Sequence, residues 1–125
     1  MGLETGLNGR ASLDVTDADT AIAFGSGDVA VLATPRLVAL CEQATLKAVE
    51  GQCAEGYSTV GVRVQIEHIS PTAPGNRVVA DAYLEKIEGR RMIFSVSARD
   101  DRGLVAAGKV TRVVVEVERF MEKTR

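Results

Sequence analysis

His68 is the only histidine in the chain. It closes an alternating run, Val60-Gly61-Val62-Arg63-Val64-Gln65-Ile66-Glu67-His68, on the parity of Val60, Val62, Val64 and Ile66. The pattern predicts an imidazole on the apolar face of a strand, just before the turn-forming run Ser70-Pro71-Thr72-Ala73-Pro74-Gly75-Asn76. Imidazole titrates nearest neutral pH, so a desolvated one at a strand end is a candidate general base. The plainer alternative is a core histidine satisfied by a backbone carbonyl. Glu42 is the second candidate, because it falls among Leu37, Val38, Ala39, Leu40, Cys41 and Ala44. A carboxylate on a buried helix must be paired, hydrogen-bonded or protonated, unless it turns to the rim and meets water. Thr34 is the third: it precedes Pro35, which reads as an N-cap followed by proline in the first turn.

The elements that carry these residues follow from periodicity. A weak alternation over Ala11 to Thr16 predicts a first strand, and Asp17 to Ala33, with Gly25-Ser26-Gly27-Asp28, reads as irregular. A helix is expected from Pro35 to Glu50, stopped by Gly51. It is apolar around most of its first three turns and should be buried. Four long antiparallel strands in a meander then follow: Tyr57 to Ile69, Arg77 to Ile87, one marked by Met92, Phe94, Val96 and Ala98, and a final very long one from Leu104 to Phe120. Glu88-Gly89-Arg90 and Asp100-Asp101-Arg102-Gly103 are hairpin turns. Val113-Val114-Val115, β-branched on both parities, predicts a strand covered or paired on both sides. A strand, one long buried helix and a meander make an α+β domain whose sheet wraps a helix.

Composition narrows the partners. The chain has 125 residues, 46% of them hydrophobic and 26% charged, which suits one domain spanning 1–125. A formal net charge of -2 and the absence of tryptophan argue against a nucleic-acid partner, since neither a basic field nor a set of stacking platforms is supplied. Cys41 and Cys53 are too few for a disulfide scaffold, and one histidine with no C-x-x-C pair offers no zinc site. They read as reduced cytoplasmic thiols. No apolar run of membrane-spanning length occurs, and Met1 to Arg10 lacks the pattern of an export signal.

These residues resemble the fluoroacetyl-CoA thioesterase group of the hotdog fold. The likeness is carried by Ala33-Thr34 with Glu42 eight positions later, by Gly61 seven residues ahead of His68, and by the Pro74-Gly75 turn with Glu88-Gly89-Arg90-Arg91 in the next hairpin. It runs from about Ala33 to the C-terminus. The resemblance implies a long antiparallel sheet around one central helix, and hydrolysis of a small acyl-CoA thioester by Thr34, Glu42 and His68, with Gly61 lining the pocket. It also implies a homodimer, or a dimer of dimers, with the active site at the interface. Coenzyme A enters as part of the substrate, and no cofactor or metal is implied. Arg90 and Arg91 suit the phosphates of coenzyme A, unless they are simply a solvated face.

The fluoroacetyl specialist carries phenylalanines ahead of the helix as a hydrophobic lid, whereas here Phe24 stands alone beside Gly25-Ser26-Gly27-Asp28. That departure points to another acyl group or a more open pocket. Eight residues of straight helix separate Thr34 from Glu42 by roughly 12 Å, so a partner subunit is one way to unite them. Two other readings stand beside thioester hydrolysis: hydration or dehydration of an acyl thioester, and a non-enzymatic acyl-CoA or small-ligand binding module in which His68 and Glu42 only pair.

Overall fold

The computed structural model describes residues 2–125. Strand β1 (Asn8–Asp14) is followed by a 3-10 turn (Asp17–Asp19) and a single-turn helix, α1 (Ala21–Phe24). The main helix α2 (Thr34–Ala48) precedes β2 (Tyr57–His68), β3 (Arg77–Glu88), β4 (Arg91–Asp100) and β5 (Gly103–Glu116), and a short helix α3 (Val117–Glu122) ends the chain. The strands form one five-stranded antiparallel sheet in the order β1-β3-β4-β5-β2.

Helix α2 buries Leu37, Leu40, Cys41, Ala44 and Ala48, a spacing of three and four that makes one continuous stripe. Opposite it, Val78, Ala80, Ala82 and Leu84 of β3 and Met92, Phe94, Val96 and Ala98 of β4 alternate into the same core. The helix touches all five strands, so the sheet curls around it. Gly9 of β1 lets the two approach closely, because a Cβ there would lie 2.3 Å from the Ala48 backbone nitrogen. Among the described residues no helix is long and apolar enough to cross a membrane.

Four expectations need correction. The first strand begins three residues earlier and ends two earlier, at Asn8–Asp14. The stretch expected to be irregular holds the 3-10 turn and α1, the latter capped by the Thr20 hydroxyl. The last strand stops at Glu116, where Val117, Phe120 and Met121 adopt helical spacing in α3. Finally, the meander is three strands rather than four. β2 crosses to the far edge and pairs with β5, so β5 is an interior strand hydrogen-bonded on both sides.

Candidate active site

Helix α2 begins one residue before the expected start. Ala33, in extended conformation, is its N-cap, and the Leu37 N–H donates to the Ala33 carbonyl at 2.9 Å to close the first turn. Thr34 is therefore the first helical residue and does not cap the helix, which leaves its hydroxyl free for another partner. That partner is His68: Thr34 Oγ1 and His68 Nδ1 share a hydrogen bond of 2.9 Å. The end of β2 is held in place by Ile69, whose N–H donates to the Val105 carbonyl at 2.8 Å. The other ring nitrogen, Nε2, is buried and has no hydrogen-bond partner among the described residues. Burial holds the His68 pKa below its ordinary value, with hydrogen bonding to the Ser70 backbone pulling the other way. The imidazole is thus neutral near pH 7, one nitrogen anchored and the other unsatisfied. Thr34, His68, Leu32, Ile69 and Ser70 line a cleft of about 420 Å³ that opens to solvent.

Glu42 turns toward β2. Its side chain is 36% exposed, so it sits at the rim of the core rather than inside it. Its carboxylate faces Gly61 so closely that a Cβ on that residue would come within 2.6 Å of Oε2. A Cβ here would displace the end of the flexible Glu42 side chain, and the Gly61 backbone is not in the left-handed region, so the glycine bears on where the carboxylate sits and not on the backbone. Beside the carboxylate lies Arg112 of β5, with Nη1 at 3.9 Å. The Arg112 side chain is only 7% exposed and is clamped by Thr59, to which Nε donates at the hydroxyl (2.9 Å) and Nη2 at the carbonyl (3.0 Å). Burial pulls the Arg112 pKa down and the Glu42 charge opposes that.

The two clusters are separate within one chain. Thr34 meets His68, Glu42 meets Gly61 and Arg112, and among the described residues no hydrogen bond joins the clusters. Yet both lie on the helix-facing side of β2. Gly61 and His68 are an odd number of positions apart, which in a regular strand would put them on opposite faces. A bulge resolves this: Gly61 pairs with Arg112 and Arg63 with Thr111, leaving Val62 as the extra residue. The expected common parity of Val60 with His68 is therefore broken at Val62. Val62 and Val64, 50% and 40% exposed, also leave much of the strand's apolar surface uncovered.

Residues 15–118 match the family model described as the fluoroacetyl-CoA-specific thioesterase FlK. The fluoroacetyl-CoA thioesterase of Streptantibioticus cattleyicolor is 34% identical over 95 residues, covering 76% of this chain and 68% of its own. The chain belongs to the fluoroacetyl-CoA-specific thioesterase family. A solved structure of FlK superposes with a TM-score of 0.91 at 27% identity, covering 100% of this chain and 97% of that one. A hot-dog-like protein from Thermanaerovibrio acidaminovorans has the same fold, with a TM-score of 0.89 at 24% identity over 98% of this chain and 90% of its own. The protein is a hotdog-fold thioester hydrolase.

The other candidate residues of this thioesterase lie away from the Thr34 cleft. Phe24 ends α1 and is 47% exposed; its neighbour Ala21 lines the cleft, but Phe24 does not. Arg91 is exposed and pairs across β5 with Val113, which in turn pairs with Val60. That is the opposite end of the sheet from His68, which pairs with Ala106 and through it with Ala98. Arg90, in the β3–β4 turn, lines a separate groove. Arg112 and Thr59 had not been singled out from the sequence. The signal was present, because Arg112 interrupts the apolar alternation of β5 two positions after the buried Val110.

Proposed function

We propose that the protein hydrolyses a small acyl-CoA thioester at a site completed by two chains, with Thr34 and His68 from one and Glu42, backed by Gly61 and Arg112, from the other. The observation that carries this is the buried Nε2 of His68 with no partner. A buried polar group left unsatisfied costs about 1–3 kcal/mol, so its retention points to a ligand, a water or a second chain that satisfies it.

Two features favour a second chain. The carboxylate suited to meet Nε2 sits eight residues down the same helix, roughly 12 Å along its axis. And β2 is an edge strand of 12 residues that leaves Val62 and Val64 exposed, an edge soluble proteins usually cover. Antiparallel pairing of β2 with its own copy about a two-fold axis between Gly61 and His68 covers that edge. It also carries each chain's Glu42 toward the other chain's His68.

In such a site the Thr34 hydroxyl accepts a hydrogen bond from Nδ1–H, which fixes the tautomer and leaves the Nε2 lone pair for catalysis. A water held between Nε2 and the partner subunit's Glu42 attacks the thioester carbonyl as Nε2 takes its proton. The C–S bond then breaks, and the imidazolium returns the proton to the departing thiolate. The depressed pKa keeps His68 in its basic form at neutral pH.

The test is a panel of acyl-CoA thioesters assayed for thiol release. Hydrolysis of at least one short acyl-CoA, reduced about 10²–10⁴-fold in a folded His68→Ala variant, is the expected result. Turnover of enoyl- or hydroxyacyl-CoA without free thiol would replace hydrolysis with hydration chemistry, and binding without turnover would make the protein a carrier. Full hydrolysis in His68→Ala would remove His68 from the mechanism.

A further inference from the structure

Tyr57, the first residue of β2, belongs to two grooves. The larger, about 520 Å³, runs between the second half of α2 and the start of β2, from Gln43 past Lys47 to Glu50 and along Tyr57, Ser58 and Thr59. Thr59 is the residue that clamps Arg112 beside Glu42, so this groove starts at the Glu42 cluster. It follows α2 from Gln43 to Lys47, roughly 6 Å of helix axis, and then the turn after the helix. The smaller groove, about 120 Å³, continues from Tyr57 to Arg90, Arg119, Phe120 and Lys123.

The smaller groove gathers three cations and two aromatic rings. Arg119 lies 3.8 Å from Glu116, the one carboxylate of the groove, whereas Arg90 and Lys123 have no carboxylate at ion-pair distance among the described residues. Aromatic side chains are scarce, three phenylalanines and two tyrosines with no tryptophan. The fold nevertheless brings two of them, Tyr57 and Phe120, to this one place. A ligand matched to it is polyanionic at one point and planar at another.

We propose that the groove at Tyr57, Arg90, Phe120 and Lys123 docks the 3′-phosphorylated ADP end of coenzyme A, with the pantetheine arm lying in the larger groove that leads to Glu42. The phosphates meet Arg90 and Lys123, with Arg119 as the third cation, and the adenine lies against Tyr57 and Phe120. This rests on the acyl-CoA reading above and adds to it where the non-reacting end of the substrate is held. Its chemical role is to let binding energy from a remote group place the thioester at the reacting atoms.

The test is the double variant Arg90→Ala/Lys123→Ala. It is assayed with an acyl-CoA and with the matching N-acetylcysteamine thioester, which has no nucleotide, and is titrated calorimetrically with adenosine 3′,5′-bisphosphate. Two exposed charge-assisted contacts predict that kcat/KM for the CoA ester falls about tenfold relative to that for the truncated ester. Bisphosphate binding should weaken in step. If the ratio stays within about twofold of wild type and bisphosphate binding is unchanged, the nucleotide end docks elsewhere while hydrolysis stands. If wild type hydrolyses neither ester but loses bisphosphate affinity on substitution, the docking site stands and hydrolysis falls.

Discussion

The proposed two-chain site makes two inactivating lesions complementary. Glu42→Gln removes the carboxylate from one cluster and His68→Ala removes the imidazole from the other, and within one chain those clusters do not touch. In a mixed dimer, one site has the intact His68 of the first variant and the intact Glu42 of the second, while the other site lacks both. Random assortment makes half of all dimers mixed, each with one working site, so an equal mixture should recover about a quarter of wild-type activity. Each parent homodimer, lacking its base or its carboxylate at both sites, should sit about 10²–10⁴-fold below wild type. The recovery is therefore a rise of about 25-fold or more over either parent. Coexpression with two affinity tags isolates the mixed dimer, which with one working site of two should show about half of wild-type thiol release. Mixed dimers no more active than their parents would mean that Thr34, Glu42 and His68 act within one chain. The roughly 12 Å between Thr34 and Glu42 along α2 would then have to be closed by a rearrangement of the helix.

Four further outcomes follow from the same geometry. Gly61→Ala pushes a methyl to within 2.6 Å of Glu42 Oε2, so the carboxylate must swing away; turnover should fall about 10–10²-fold while thermal unfolding shifts little, and unchanged turnover would take Glu42 out of the reaction. His68 has a folded pKa below its ordinary 6.5, so the acid limb of kcat/KM should lie below that value. By the same shift, the stability tied to its burial is complete above about pH 6.5 and declines as pH falls below it, because the unfolded chain takes up the proton first; His68→Gln should flatten that part of a denaturation-versus-pH curve. Arg112→Lys cannot reproduce the two bonds to Thr59 and should destabilise by about 2–3 kcal/mol in chemical denaturation while lowering turnover, whereas a variant as stable as wild type would show that the Thr59 clamp contributes nothing.

The parts of the fold legible in the sequence are those decided by local periodicity. The alternation of Val78, Ala80, Ala82 and Leu84 in β3 and the three- and four-residue spacing of Leu37, Leu40, Cys41 and Ala44 in α2 each report one buried face, and each element lies where the pattern places it. The position of β2 was not legible. Its partner is β5, and nothing local to Tyr57–His68 distinguishes that pairing from one with β3, the next strand in sequence. The end of β5 failed for another reason: Val113, Val114 and Val115 are followed by Val117, Phe120 and Met121, so an apolar count carries the strand forward while the spacing has already become helical.

Thr34, Glu42, Gly61 and His68 were conspicuous as residue types, but their grouping depends on one backbone irregularity. Regular alternation from Val60 to His68 would turn Gly61 away from the face that His68 occupies. Then no single helix packed on β2 could present both Glu42 to Gly61 and Thr34 to His68. The extra residue at Val62 reverses the parity between them, so α2 addresses both ends of the strand with two side chains eight residues apart. A bulge of this kind leaves no mark in a stretch where valines occupy both sides of it. The same irregularity explains why the two clusters come to lie on the same face of one edge strand, the arrangement on which the proposed two-chain site rests.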